Sequence, residues 1–143
     1  TPTVETDEDD SKGAVAQFII GEAPTVMGLL ADDGVYYDAA NLLATGVVRF
    51  DLKVVSAPAD PDSVWLFKIE SGDAATAVEL NLTDSVEGAA PVVGQWQTYT
   101  FTLQSLFNAG LDISALDVVM VFPAWGTGNG AVYRLDNVEI VAE

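Results

Sequence analysis

The chain has 143 residues, half of them hydrophobic, and carries 5 basic residues against 22 acidic ones for a formal net charge of −17. That length suffices for one domain with a proper core, and the apolar half sets it apart from a disordered acidic tail. The charge excludes nucleic acid and membrane as partners, since both need basic patches or apolar spans, and the absence of Cys and His excludes Ser-His and Cys-His nucleophile pairs, His-based zinc and thiol redox chemistry.

The opening TPTVETDEDDSKG packs five acids between Glu5 and Asp10. With little to bury, residues 1–12 read as an acidic tail and residues 13–143 as a single domain. The acids lack the D-x-D-x-D-G spacing of a calcium loop, so a solvated charge run is the plain reading. No signal h-region and no apolar run of about 18 residues occurs, which predicts neither a membrane span nor an export signal of its own. The expectation is a piece of a larger exported protein. Strong acidity, which keeps a protein soluble in salt, leans toward a salt-water or extracellular setting.

From Gly13 onward short apolar runs alternate with turn chemistry, and no long window keeps a 3.6-residue period. The sequence predicts strands near Ala14–Ile20, Val26–Leu30, Thr45–Ser56, Ser63–Ser71, Thr76–Leu82, Gln95–Leu103, Asp117–Pro123 and Ala131–Val141. The breaks APADPD, SGDAA, VEGAAPVVG and WGTGNG carry Gly, Pro, Asp and Asn. This is an all-β pattern, an antiparallel sandwich. One helical turn is expected in LQSLFNAGLDIS, with Leu103, Leu106 and Phe107 on one face and Gly110 as its stop. No internal repeat argues for a propeller or solenoid.

Strand side chains alternate between faces. Val48, Phe50, Leu52 and Val54 therefore share a core face, opposite Arg49, Asp51 and Lys53. Trp65, Phe67 and Ile69 oppose Leu66, Lys68 and Glu70; Val78, Leu80 and Leu82 oppose Glu79 and Asn81; Tyr99, Phe101 and Leu103 oppose Thr98, Thr100 and Thr102. Four of the five cations, Arg49, Lys53, Lys68 and Arg134, thus fall within strands, and only Lys12 falls in the tail. Two accounts fit: cross-strand ion pairs, each contributing about 0.2–1 kcal/mol, or a polar row on a concave sheet that binds an uncharged polyhydroxyl ligand.

Trp125, between a Pro and a Gly-rich loop, is a second candidate, because flat aromatic faces pack on sugar rings; a lid on the sandwich edge is its structural alternative. GTGNG leads into a strand rather than a helix and is no dinucleotide fingerprint. Trp65 and Trp96 read as core. Of Tyr36 and Tyr37, which face opposite ways if extended, one can reach a ligand.

GVVRFDLKV following YYDAANLLAT, then GQWQTYTFTLQSL, LDISALDVVMVFP and the closing YRLDNVEI together resemble carbohydrate-binding modules with the galactose-binding-like β-jelly-roll fold. Such modules are appended to secreted polysaccharide-degrading enzymes of bacteria, marine ones included. The resemblance implies a non-catalytic, monomeric module within a larger multidomain enzyme, secreted or at the cell surface, that binds a polysaccharide. It favours a neutral β-1,3-glucan such as laminarin, with agarose and mixed-linkage β-glucan as alternatives. The candidate site residues read from the strand faces and loops are Trp125, Tyr37, Arg49, Asp51, Lys53, Lys68, Glu79 and Asn81, and the resemblance implies a sugar site on the concave sheet or at the loop tips. It also implies a structural calcium beside Asp136. Two other readings stay open: a ligand-free spacer, and a glycan-active enzyme using a carboxylate pair drawn from Asp51, Glu70 and Glu79.

Overall fold

The computed structural model describes residues 3–6, 12–21, 28–30 and 35–143. Nine strands run through them: β1 (Thr3–Thr6), β2 (Ala14–Ile19), β3 (Gly28–Leu30), β4 (Gly46–Ser56), β5 (Trp65–Ser71), β6 (Thr76–Asn81), β7 (Trp96–Thr102), β8 (Leu116–Pro123) and β9 (Val132–Ala142). A short helix, α1 (Leu103–Asn108), links β7 to the approach to β8. One sheet has the order β1-β2-β9-β4-β7 and the other β3-β8-β5-β6. All pairings between them are antiparallel. The expected antiparallel sandwich of jelly-roll type is therefore what the chain forms.

Two parts of the strand expectation need comment. The strand expected at Val26–Leu30 is described from Gly28 on, and its first two residues lie outside the described residues. In the stretch read as an acidic tail, Thr3–Thr6 pairs with β2, from Thr3 opposite Gln17 to Thr6 opposite Ala14. Its backbone groups find partners there, which composition could not reveal.

The alternation read from sequence places the core. Val48, Phe50, Leu52 and Val54 of β4, Phe67 and Ile69 of β5, and Tyr99 and Phe101 of β7 are all buried. Phe67 reaches from the four-stranded sheet onto two rings of the other: its centroid stands 4.3 Å from Phe101 and 5.9 Å from Phe50, and Phe50 in turn stands 5.8 Å from Tyr99. Such offset rings contribute about 0.5–1.5 kcal/mol per pair beyond their buried area. A second bridge is Tyr133 of β9, stacked on Phe18 at 5.1 Å and edge-on to Trp65 at 5.0 Å. Its hydroxyl donates to the carbonyl of Val121 in the facing sheet at 2.5 Å.

Two residues stand otherwise than expected, Trp96 read as core and Phe107 read as sharing the face of Leu103 and Leu106. Trp96 shares the parity of Thr98 and Thr100, so it stands half-buried on the outer face opposite Lys53. Phe107 is exposed, while Leu103 and Leu106 are buried. A six-residue helix has room to present one side to the core, and Phe107 lies about 100° on from Leu106. Thr102 caps this helix, accepting from the Ser105 N–H at 3.2 Å, and Gly110 ends it at φ +106°. No helix among the described residues is long and apolar enough to cross a membrane.

The buried phenols give the fold an alkaline limit. Burial first, and then the charge of Glu87, pushes Tyr99 up to about 12, and burial pushes Tyr133 up as well. A raised folded-state value means that the stabilisation is complete below the unfolded value of about 10 and is lost as pH rises through the folded one. Unfolding free energy from urea titrations should therefore fall steadily between pH 10 and 12. Absorbance of the phenolates should show two of the four tyrosines ionising only as the fold is lost. A flat stability profile across that window would mean that these phenols are solvated.

Candidate functional site

The outer face of the five-stranded sheet carries Arg49, Lys53 and Arg134, three of the four strand cations. Strand register arranges them in rows: Trp96, Lys53, Arg134 and Gln17; then Thr98, Asp51 and Asp136; then Thr100, Arg49 and Glu139. Arg49 donates through Nε at 3.1 Å and Nη2 at 2.9 Å to one oxygen of Glu139, with Glu143 at 3.8 Å. Arg134 donates to Gln17 Oε1 at 2.9 Å. Asp51 and Lys53 are only 9% and 6% exposed. On this face the cross-strand account holds for Arg49 on Glu139, whereas register sets Lys53 opposite Arg134 and Asp51 opposite Asp136, like charges side by side, and the cation on Asp51 is Lys12 from outside the strands.

Asp51 is the centre of that face. Its Oδ1 accepts from Thr98 Oγ1 at 2.7 Å, and its Oδ2 accepts from Lys12 Nζ at 2.5 Å and Asn137 Nδ2 at 2.9 Å. Burial pushes its carboxyl up, but the hydrogen bonds from Lys12, Asn137 and Thr98 outweigh burial and hold it below the usual carboxylate range. Asn137 reaches it from a bulge in β9, where the register steps from Arg49 opposite Glu139 to Asp51 opposite Asp136. Asn137 takes φ +50° there, a conformation that Asn tolerates better than most residues.

The calcium expected beside Asp136 meets a poor donor set. Among the described residues no three His, Cys, Asp or Glu side chains gather to hold a metal. A hard divalent cation needs several free oxygens. Both oxygens of Asp51, the strand partner of Asp136, already accept from N–H and O–H donors. The described residues do not fit the ion.

On the outer face of the four-stranded sheet, register sets Phe122, Leu66 and Asn81 in one row and Met120, Lys68 and Glu79 in the next. Trp125 heads the first row. Its ring stands 5.4 Å from Phe122, tilted by 57°, and the residue is 49% exposed. The loop that carries it is well tied: Ala124 N–H donates to Val64 O at 2.8 Å, and Thr127 Oγ1 to Ser63 Oγ at 2.9 Å. At Gly128 a Cβ would come within 2.6 Å of the Pro123 ring, so only glycine lets the loop fold so closely over the strand end.

This second face gathers Trp125, Lys68, Glu79 and Asn81. Lys68 Nζ pairs with Glu70 at 2.9 Å, and Glu79 is exposed. Asn81 uses its Oδ1 to accept from Thr83 N–H at 3.0 Å and Thr83 Oγ1 at 2.9 Å, which fixes the side chain at the end of β6. Tyr37 is not among them: its backbone pairs with Leu116, at the opposite end of β8 from Trp125. Over seven residue steps that separation is roughly 24 Å. Phe122, the support beneath Trp125, was not legible in sequence, because β8 is apolar on both faces.

Two further arrangements bear on chemistry. Asp51 lies on one sheet and Glu70 and Glu79 on the other, and Asp51 is shifted away from the raised value that a catalytic acid requires. At the loop end a cleft of about 260 Å³ is lined by Pro58, Pro61, Trp65, Asn81, Pro91 and Val93 among others. Enclosed small-molecule sites usually measure about 300–1,000 Å³, so this cleft is small for one.

No protein-family model matches the chain, and no curated protein matches it in sequence. Its fold matches solved structures. A family 30 carbohydrate-binding module aligns with TM-score 0.69 at 16% identity, over 100% of this chain and 74% of that one. The family 30 module of a cellulosomal cellulase of Clostridium thermocellum aligns with TM-score 0.68 at 16% identity, over 100% and 83%. An exo-β-agarase aligns with TM-score 0.68 at 12% identity, over 100% of this chain and 22% of the agarase chain. The fold is that of jelly-roll carbohydrate-binding modules.

The difference between the tryptophans should show in stability. Trp65→Ala, at a position 8% exposed, should cost about 3–5 kcal/mol, and Trp125→Ala, half-exposed, about 1–2 kcal/mol. Urea midpoints at constant slope measure both. Equal losses would make Trp125 a lid rather than a platform.

Proposed function

We propose that the chain is a non-catalytic module that holds a larger enzyme on a neutral polysaccharide outside the cell. The carrying observation is Trp125, half-exposed on Phe122 at the head of a face that also presents Lys68, Glu79 and Asn81. A rigid indole offers a flat apolar surface to a pyranose ring, and the polar groups beside it offer donors and acceptors to hydroxyls. Strands stand about 4.8 Å apart and successive residues of one face about 7 Å apart. A chain of sugar rings laid from Trp125 across β8, β5 and β6 therefore meets several of these groups in turn.

The ligand is uncharged because a domain of net charge −17 repels sulfated and uronate-rich chains. Among neutral chains a β-1,3-glucan is the first choice, on the resemblance to laminarinase-associated modules. The structural neighbours, which belong to a cellulase and an agarase, add cellulosic polymers to agarose and mixed-linkage β-glucan as the other arms of the test.

Affinity electrophoresis in each of these polymers should retard the protein in at least one, with no release of reducing ends. Trp125→Ala should weaken that binding by about 1–3 kcal/mol, the scale of an aromatic hot spot, whereas Arg49→Ala, on the other sheet, should leave it unchanged. Lack of retardation in every polymer would remove the reading in favour of a spacer. An equal loss from Arg49→Ala would move the site to the five-stranded sheet, and hydrolysis abolished by Glu79→Ala would make the protein an enzyme.

A further inference from the structure

The calcium that the resemblance implies and the donor set beside Asp136 disagree, and the disagreement has a physical occupant. Lys12 lies just before β2, where Gly13 at φ +62° turns the chain into the strand. Its ammonium is 2.5 Å from Asp51 Oδ2 and 5.3 Å from the centroid of the Trp96 ring. The two side chains of the pair are 19% and 12% exposed. A cation held between a carboxylate and an aromatic face is attracted by both. Thr98 and Asn137 complete the coordination of the carboxylate.

We propose that Lys12 is the resident cation at the Asp51 carboxylate, so that the fold needs no calcium beside Asp136. The ammonium neutralises the Asp51 end of the row shared by Asp51 and Asp136, and it arrives on the chain itself. The position is part of the domain on this reading: β1 and the turn into β2 anchor the segment that delivers Lys12. A boundary drawn at residue 13 would leave Asp51 without its strongest donor, a buried charge whose partner has been removed.

Calorimetric melting of the chain tests this with metal alone as the probe. After EDTA dialysis and again in millimolar calcium, the parent protein should melt at the same temperature. Lys12→Met should melt lower by roughly 5–10 °C, the scale of breaking a partly buried ion pair in a chain of this size. The double variant Lys12→Met with Asp51→Asn should melt above Lys12→Met alone, because it no longer leaves a charge unpaired. Should Lys12→Met fail to fold, recovery of folding in the double variant still reads out the pair. Three results overturn the proposal: a melting point lowered by EDTA in the parent but not in Asp136→Asn, a Lys12→Met variant as stable as the parent, or purely additive losses in the double variant.

Discussion

The contact on which the rest depends is the stack of Phe67 on Phe101 and Phe50. One ring from the four-stranded sheet lies against two from the five-stranded sheet, and all three are essentially inaccessible to solvent. With those rings inward, the period-two geometry of a strand leaves no freedom: Lys68 and Glu79 must emerge on one outer face, and Arg49, Asp51 and Lys53 on the other. A slip of one residue in either strand would bury a charge and expose a Phe. The same burial that stabilises the core thus distributes the polar residues between two separate surfaces.

Those surfaces have different physical characters. On the five-stranded sheet the central polar groups answer one another, from the fork of Arg49 on Glu139 to the three donors on Asp51. Groups already bonded to one another must be taken apart before they can serve a ligand, and buried ion pairs resist that. The four-stranded sheet instead leaves Glu79 and half of Trp125 open beside a well-packed base of Phe122. In the function proposed above, Trp125 on Phe122 is the platform and Glu79 the open polar group, while Lys68 is paired with Glu70 and Asn81 accepts from Thr83. The edge strands are also managed. β7 is closed by Glu87, which accepts from the Thr100 N–H at 2.6 Å, so the sheet does not offer an open row of donors to another chain.

The placement of charge has a further logic. A chain with 5 cations among 22 acids gains most where a cation meets a carboxylate away from water, since exposed pairs contribute little. Lys12 on Asp51 is such a pair and ties the approach to β2 to β4, while Arg49 on Glu139, which links β4 to β9, is of the exposed kind. A neutral ligand is the class that so acidic a chain does not repel.

The sequence by itself determined the strands from β2 onward, the core faces of β4, β5 and β6 and the short helical turn, because alternation and the turn residues between strands are local signals, whereas β1 lay hidden in an acidic stretch. It also singled out Trp125, whose Pro and Gly neighbours announce a loop. What it did not determine are relations between residues far apart in the chain. That Lys12 covers Asp51, that Asn137 swings onto the same carboxylate through a bulge, and that Arg49 and Lys68 stand on opposite sheets depend on register and sheet order. A period of two assigns a side chain to a face but not to a sheet. The continuous apolar run VVMVFP could not even reveal its faces, since it holds no polar position to mark one side. Only the tertiary structure decided that Phe122 points outward, and with it where Trp125 finds its support.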